Sequence, residues 1–411
     1  MHFSAFFPIL AKKMRFFLSS SEYFCTFAAF CEVGLLVMAS QEEKYSENMQ
    51  RNRPVDILRM IAILLVVMRH TAATPGAAWL SHLFPVYSYH LALFLFVSGY
   101  LFRDMEWSGF GRFVWKKTRN LLLPFLGWNI VYAGIVTLIN LRHPVDYLPP
   151  TSQVWTFHAL LVEPFISGHQ YILNLATWFI GMFYLALLVY GLLYMFARHI
   201  PDWAVLILYA LVALAGLYSA SLPLTGRGWM VVQRIAYTLF FLQLGRCFRL
   251  YIEPRLSWGN IGWFMLFILA LWAPVMINGD HMYVLAFMNY DGHVLRPLLA
   301  GMFGCLFWML ASMVIARYVR SSKVEQLVSR NTWAIMTHHL LVRFILCWTF
   351  VHFYGDEVAR GAFRADFWFF PVQFDYWCAI FTEIAIPVLW QLCFDKAKNR
   401  LSRFHIFPPY P

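Results

Sequence analysis

Charge is scarce in this sequence. Only 13% of its 411 residues are Asp, Glu, Lys or Arg, and 61% are apolar. Ordinary soluble domains carry roughly a quarter charged residues, so a soluble globular enzyme is excluded and a polytopic membrane protein is indicated. Paired cysteines are missing as well. The seven Cys lie scattered without CxxC or other ligand spacing, which leaves no basis for a disulfide framework or a metal site; they read as apolar fillers. No internal repeat, low-complexity tract or soluble appendage is visible. The net charge of +11 is read as Lys and Arg gathered in cytoplasmic loops and not as a nucleic-acid surface.

What is present is a succession of apolar runs. A spanning helix needs roughly 20 mostly apolar residues. Ten segments qualify, near 55–73, 84–102, 121–141, 174–197, 203–222, 229–250, 260–278, 297–317, 332–353 and 375–395. The expected fold is therefore all-α, with about ten transmembrane helices. The longest connections, 142–173, 279–296 and 354–374, hold aromatic, Pro and acidic residues and are expected to be structured loops on one side. If residue 50 is cytoplasmic, the outer loops hold only Arg142, Arg227, Arg296, Arg360 and Arg364, and all other Lys and Arg of the connections lie inside. That asymmetry puts both termini of the core in the cytoplasm. Residues 1–48 stand apart: an apolar stretch at 15–38 carries Glu22 and Glu32. It reads as an extra helix, a signal, or a start codon placed too early, with Met38 or Met49 as the natural start. The membrane domain is taken as 49–411.

The run "PVDILRMIAILLVVMRH" (54–70) carries ionisable residues at both ends. Arg59 and His70 are eleven residues apart, three helical turns plus about 20°, so they share one face with an axial separation of about 16 Å. Charge in hydrocarbon costs at least roughly 2.5 kcal/mol on insertion scales, so such groups normally face a polar cavity. Taken singly, Arg59 reads equally well as an interfacial snorkelling residue and His70 as a hydrogen-bonded interior histidine. Together they suit a ligand with an anionic head and a long thin arm. Coenzyme A has that form, with phosphates for an Arg fork and a thioester at the tip for a proton-accepting His. Other anionic donors fit the same geometry.

"VDILRMIAILLVVMRH" resembles the first helix of the membrane acyltransferase 3 family, whose signature is an Arg, ten residues and a His, with an acidic residue one turn earlier, here Asp56. "HLALFLFVSGYLF" (90–102) is similar to the family's second helix, and "WKKTRNLLLP" (115–124) resembles its basic R-x-x-R segment, with Lys116 and Arg119 in those places. "NLATWFIGMFYL" (174–185), "FFLQLGRCFR" (240–249) and "NTWAIMTHHLLV" (331–342) resemble later helices, with His339 at a recurrent late His. The likeness covers about 53–395. Two positions depart from it: Arg69 stands before the His where an aromatic or small residue is usual, and the basic pair opens with Lys.

The resemblance implies transfer of an acyl group, usually acetyl from acetyl-CoA, to a hydroxyl of a polysaccharide or lipid-linked glycan in the bacterial inner membrane. Acetyl-CoA is then a substrate, no bound cofactor is implied, and the partners are the donor, the glycan acceptor and membrane lipids. His70 is the implied base or acyl-accepting group, and Arg59 orients the donor or polarises the thioester. Lys116 and Arg119 attract CoA phosphates, unless they are ordinary loop charges. Since some members carry a further hydrolase-like domain at the C-terminus, a sequence running only to residue 411 raises the expectation of a stand-alone enzyme. Arg234, His339, Arg343 and Glu383 are further ionisable residues inside helices and functional candidates on that ground. Glu383 can pair with Arg343 or orient a His. His90 and Tyr100 are candidates to line the cavity, although Tyr100 fits an interfacial aromatic belt better. Trp178 and Phe179 fit a helix anchor better than a sugar platform. The main alternative, a transporter or flippase of a lipid-linked glycan, is disfavoured by the lack of paired halves.

Overall fold

The computed structural model describes residues 52–402 apart from 72–88, 143, 147, 167–170, 223–226, 278–284, 289–292, 356–359 and 364–375. Residues 1–48 and most of the two later long connections therefore lie outside the described residues. Every described element is helical. The principal helices are α1 (Arg53–Thr71), α2 (His90–Tyr100), α3 (Trp107–Lys117), α4 (Leu123–Arg142), α5 (Trp178–Ala197), α6 (Asp202–Ala220), α7 (Arg227–Cys247), α8 (Ile261–Ile277), α9 (Leu295–Tyr318), α10 (Lys323–Arg330), α11 (Thr332–Tyr354) and α12 (Tyr376–Ser402). Each of the ten expected apolar segments falls on one of these.

Six stretches among the described residues are long and apolar enough to cross a membrane: Trp107–Arg142, Ile172–Ala197, Asp202–Ala220, Leu295–Tyr318, Thr332–Phe353 and Tyr376–Ala397. Among the described residues, length and composition thus support six crossings and do not confirm ten. His90–Tyr100 and Ile261–Met276 are apolar but short, and α1 carries Arg53, Asp56, Arg59 and Arg69. The third segment also begins earlier than expected. The basic stretch 115–119 is not a loop before a helix but the end of α3, which runs through a π-turn at Thr118–Leu122 into α4.

α1 is the central element: α2, α9, α10, α11 and α12 all pack against it. Its apolar positions Ile57, Leu58, Ala62, Ile63 and Val67 are fully buried. Its first turn is tied to α10. Arg53 grips the Glu325 carboxylate through two nitrogens at 3.0 Å each and donates to the Ala316 and Val319 carbonyls. Glu325 holds that place because α10 opens with a Ser322 cap, whose hydroxyl accepts from the Glu325 amide at 3.0 Å. Elsewhere the bundle turns apolar side chains outward, among them Trp203, Ile207 and Leu211 on α6 and Trp263, Leu266 and Phe267 on α8. In water such faces would be a liability; in lipid they are the solvated surface. The described residues of the connection 142–173 are tied down: Asn140 donates to Pro149 O at 2.7 Å, Asn129 to Leu160 O at 2.7 Å, and the Tyr171 hydroxyl to Val154 O at 2.6 Å.

Candidate functional site

On the last described turn of α1, side chains from α11 and α12 bond to the main chain. Arg343 donates to the His70 carbonyl. The Tyr376 hydroxyl donates to Met68 O at 3.2 Å. The Thr71 hydroxyl lies 2.8 Å from Val67 O and 3.0 Å from Glu383 Oε2.

The imidazole of His70, on this last turn, lies against that of His339, with ring centroids 5.2 Å apart and planes at 46°. His339 and Arg343 stand one turn apart on α11 and so share a face. His339, Arg343 and Glu383 are fully buried. His339 Nδ1 is 2.8 Å from Ile335 O; a carbonyl can only accept, so Nδ1 carries the proton and Nε2 the lone pair. Nε2 finds no hydrogen-bond partner among the described residues. Buried His90 and half-exposed Arg69 are within electrostatic range of His70, and Arg343 is within range of Glu383. Thus two histidines, a guanidinium and a carboxylate from α1, α11 and α12 converge with His90 of α2.

Three turns back along α1, Arg59 is half-exposed and lies 3.7 Å from Asp56, one turn earlier. Lys117 of α3 comes within electrostatic range of both Arg59 and Lys116. Lys116 is exposed and Arg119 half-buried, and α3 also brings Lys117 within range of the Arg59 end of α1. One helix therefore joins a basic mouth to a histidine cluster.

A family profile described as an acyltransferase domain matches residues 52–345, more than half of the chain. The chain belongs to the acyltransferase 3 family. No curated protein and no solved structure matches it. The matched region of the acyltransferase contains every candidate residue named above except Tyr376 and Glu383, which come from α12 beyond it.

Other expected positions lie apart from this cluster. Arg234 of the acyltransferase is buried on α7, donates to Ile166 O and Ala286 O, and stacks over Trp178 at 5.2 Å from the ring centre. Its contacts are with the connections at 166 and 286, and they give Trp178 an anchoring task. Tyr100 is not in an exposed aromatic belt. It is buried, its hydroxyl 2.8 Å from Glu253 and accepting from Asn52 at 2.8 Å. Arg246, counted from sequence among the cytoplasmic-side charges, is buried between Asp104 and Asp202, each at 2.6 Å. The guanidinium holds the Asp104 carboxyl below the usual carboxylate range through its hydrogen bond.

Sequence reading did not single out Lys117, Thr71 or Tyr376. Thr71 and Tyr376 are ordinary residues by composition, and only their contacts single them out. His338, beside His339, was visible in the "HH" pair; it hydrogen-bonds with the Tyr132 hydroxyl at 3.0 Å and packs among Trp128 and Trp390 on another face of α11.

Proposed function

We propose that this acyltransferase moves an acetyl group from acetyl-CoA to a hydroxyl of a cell-surface polysaccharide or lipid-linked glycan, in the bacterial inner membrane with its core termini cytoplasmic. The observation that carries the reading is the register of α1, which sets Arg59 at one end beside Lys117 and His70 at the other beside His339 and Arg343. A cationic mouth and a proton acceptor about 16 Å apart along one helix suit a donor whose phosphates and thioester are separated by a pantetheine arm. The charge asymmetry of the loops supports the orientation.

His70 takes the proton of the acceptor hydroxyl as its oxygen attacks the thioester carbonyl. The carbon–sulfur bond breaks, CoA leaves as thiolate, and the imidazolium returns the proton to sulfur. In the stepwise variant the imidazole nitrogen attacks the thioester carbonyl and CoA leaves as thiolate; the acceptor hydroxyl then attacks the acetylimidazole, the carbon–nitrogen bond breaks, and the hydroxyl proton passes to the departing imidazole. Arg59 and Lys117, with Lys116 and Arg119 of the same basic segment, bind the phosphates.

Full-length protein in nanodiscs, given acetyl-CoA labelled in the acetyl group, should release CoA thiol and label glycan only when a lipid-linked or polymeric glycan is supplied. Thiol release with all label recovered as free acetate, whatever acceptor is present, would overturn the reading. Arg59→Ala should raise the acetyl-CoA KM about tenfold or more, the equivalent of one charge-assisted hydrogen bond, with kcat little changed, as expected for uniform donor binding. Arg59→Lys should recover only part, because an ammonium cannot grip phosphate bidentately. An unchanged KM rejects this role.

A further inference from the structure

We infer that Arg343, Tyr376 and Glu383 are positioning residues that clamp the C-terminal turn of α1 and so hold His70 in place. The inference rests on the proposed role of His70. His70 lies on the last described turn of α1, and side chains from two other helices bond to that turn. The bonds that meet this turn go mostly to its main chain. Arg343 donates to the carbonyl of His70 itself, Tyr376 to that of Met68 at 3.2 Å, and Glu383 accepts from the hydroxyl of Thr71 at 3.0 Å. At about 100° per residue, positions 68, 70 and 71 are spread around the helix axis and not stacked on one side. Attachments so distributed oppose tilting of the turn in more than one direction.

The three side chains come from two helices, α11 and α12, which also pack on each other. The burial of Arg343 and Glu383 fits the same task. A guanidinium and a carboxylate with no exposed surface are tolerated because each meets polar groups of α1 and lies in the other's field, whereas either one alone would be a stranded charge. The bonds of both go to the His70 end of α1, so the clamp bears on the reacting end. Misplacing a catalytic group by about 1 Å costs on the order of 100-fold in rate, and this is what the clamp prevents. Tyr376 and Glu383 lie outside the family match at 52–345, so α12 adds a support that the matched region lacks.

The test compares Tyr376→Phe, Arg343→Lys and the charge-neutral double variant Arg343→Met with Glu383→Gln, each full-length in nanodiscs, for acetyl transfer to glycan. Tyr376→Phe should lower kcat about fivefold, the rate equivalent of one ordinary hydrogen bond. The double variant should lower it about 100-fold, and Arg343→Lys should fall between. The acetyl-CoA KM should stay within about twofold throughout, since the donor mouth is untouched. If the double variant does not accumulate, Tyr376→Phe carries the test, because it removes one hydroxyl and no charge. Full kcat in Tyr376→Phe and in whichever other variants accumulate overturns the clamp, and so does a KM rise at constant kcat. His70→Ala separates the two proposals: acetyl transfer by that variant ends the reading of His70 itself, whereas an inactive His70→Ala beside a fully active double variant removes only the clamp.

Discussion

His70→Ala should cut acetyl transfer by roughly 10²–10⁴-fold, the usual contribution of a positioned proton-transfer group, while the protein reaches the membrane at its normal level. The second half of that expectation follows from the structure. The bond from Arg343 ends on the His70 main-chain carbonyl, and Thr71 and Tyr376 bond around it without the imidazole. Alanine therefore keeps the anchoring of α1 and loses only the ring that faces His339. Acid-quenched label separates the two chemical variants. Protein-bound acetyl trapped in the native enzyme and absent from His70→Ala identifies the imidazole as an acyl carrier; label found only on CoA and glycan identifies it as a base. Transfer at the native rate by His70→Ala would take His70 out of the chemistry altogether.

The part of this site that lies on one helix was legible in the sequence. Asp56, Arg59 and His70 are related by the helical repeat alone, and a one-dimensional pattern suffices to place them. The partners of His70 were not legible as partners. An ionisable residue inside an apolar run announces that something must compensate it, and Arg234, His339, Arg343 and Glu383 all gave that signal. It does not say where the compensation is. Arg234 finds Trp178 and the Ala286 carbonyl, whereas Arg343 and Glu383 reach α1 across 273 and 312 residues of chain. The basic segment shows a more local limit: read as a loop, it offered Lys116 and Arg119, and only its helical form shows that Lys117 also comes within range of Arg59. Tyr100 and Arg246 misled because an interfacial tyrosine and a cytoplasmic arginine look the same in sequence whether they face lipid, water or a buried carboxylate.

Gly245→Ala should be the most damaging of the mild substitutions in the core, even though alanine is the better helix former by about 1 kcal/mol. α2 and α7 cross at two reciprocal points. A Cβ on Gly99 would fall on the Leu242 carbonyl, and a Cβ on Gly245 would fall on the Phe96 carbonyl and within 2.8 Å of the Tyr100 amide. These obstacles are main chain, so no rotamer change relieves them and the helices must separate. Helix pairing inside a bilayer depends on such close backbone approach, since lipid tails remove the hydrophobic drive that operates in water. Overpacking commonly costs about 1–3 kcal/mol and sometimes more, and here it exceeds the propensity gain. Gly111 and Gly127 have open space around them and supply the control. Gly111→Ala and Gly127→Ala should unfold at or slightly above the native temperature, Gly245→Ala well below it, and the Gly99→Ala, Gly245→Ala double variant should fail to accumulate. The consequence reaches the site, because α2 packs on α1 and carries His90 into the range of His70. A Gly245→Ala protein with native thermal stability would mean that the two backbones do not touch, and the placement of His90 would fall with that contact.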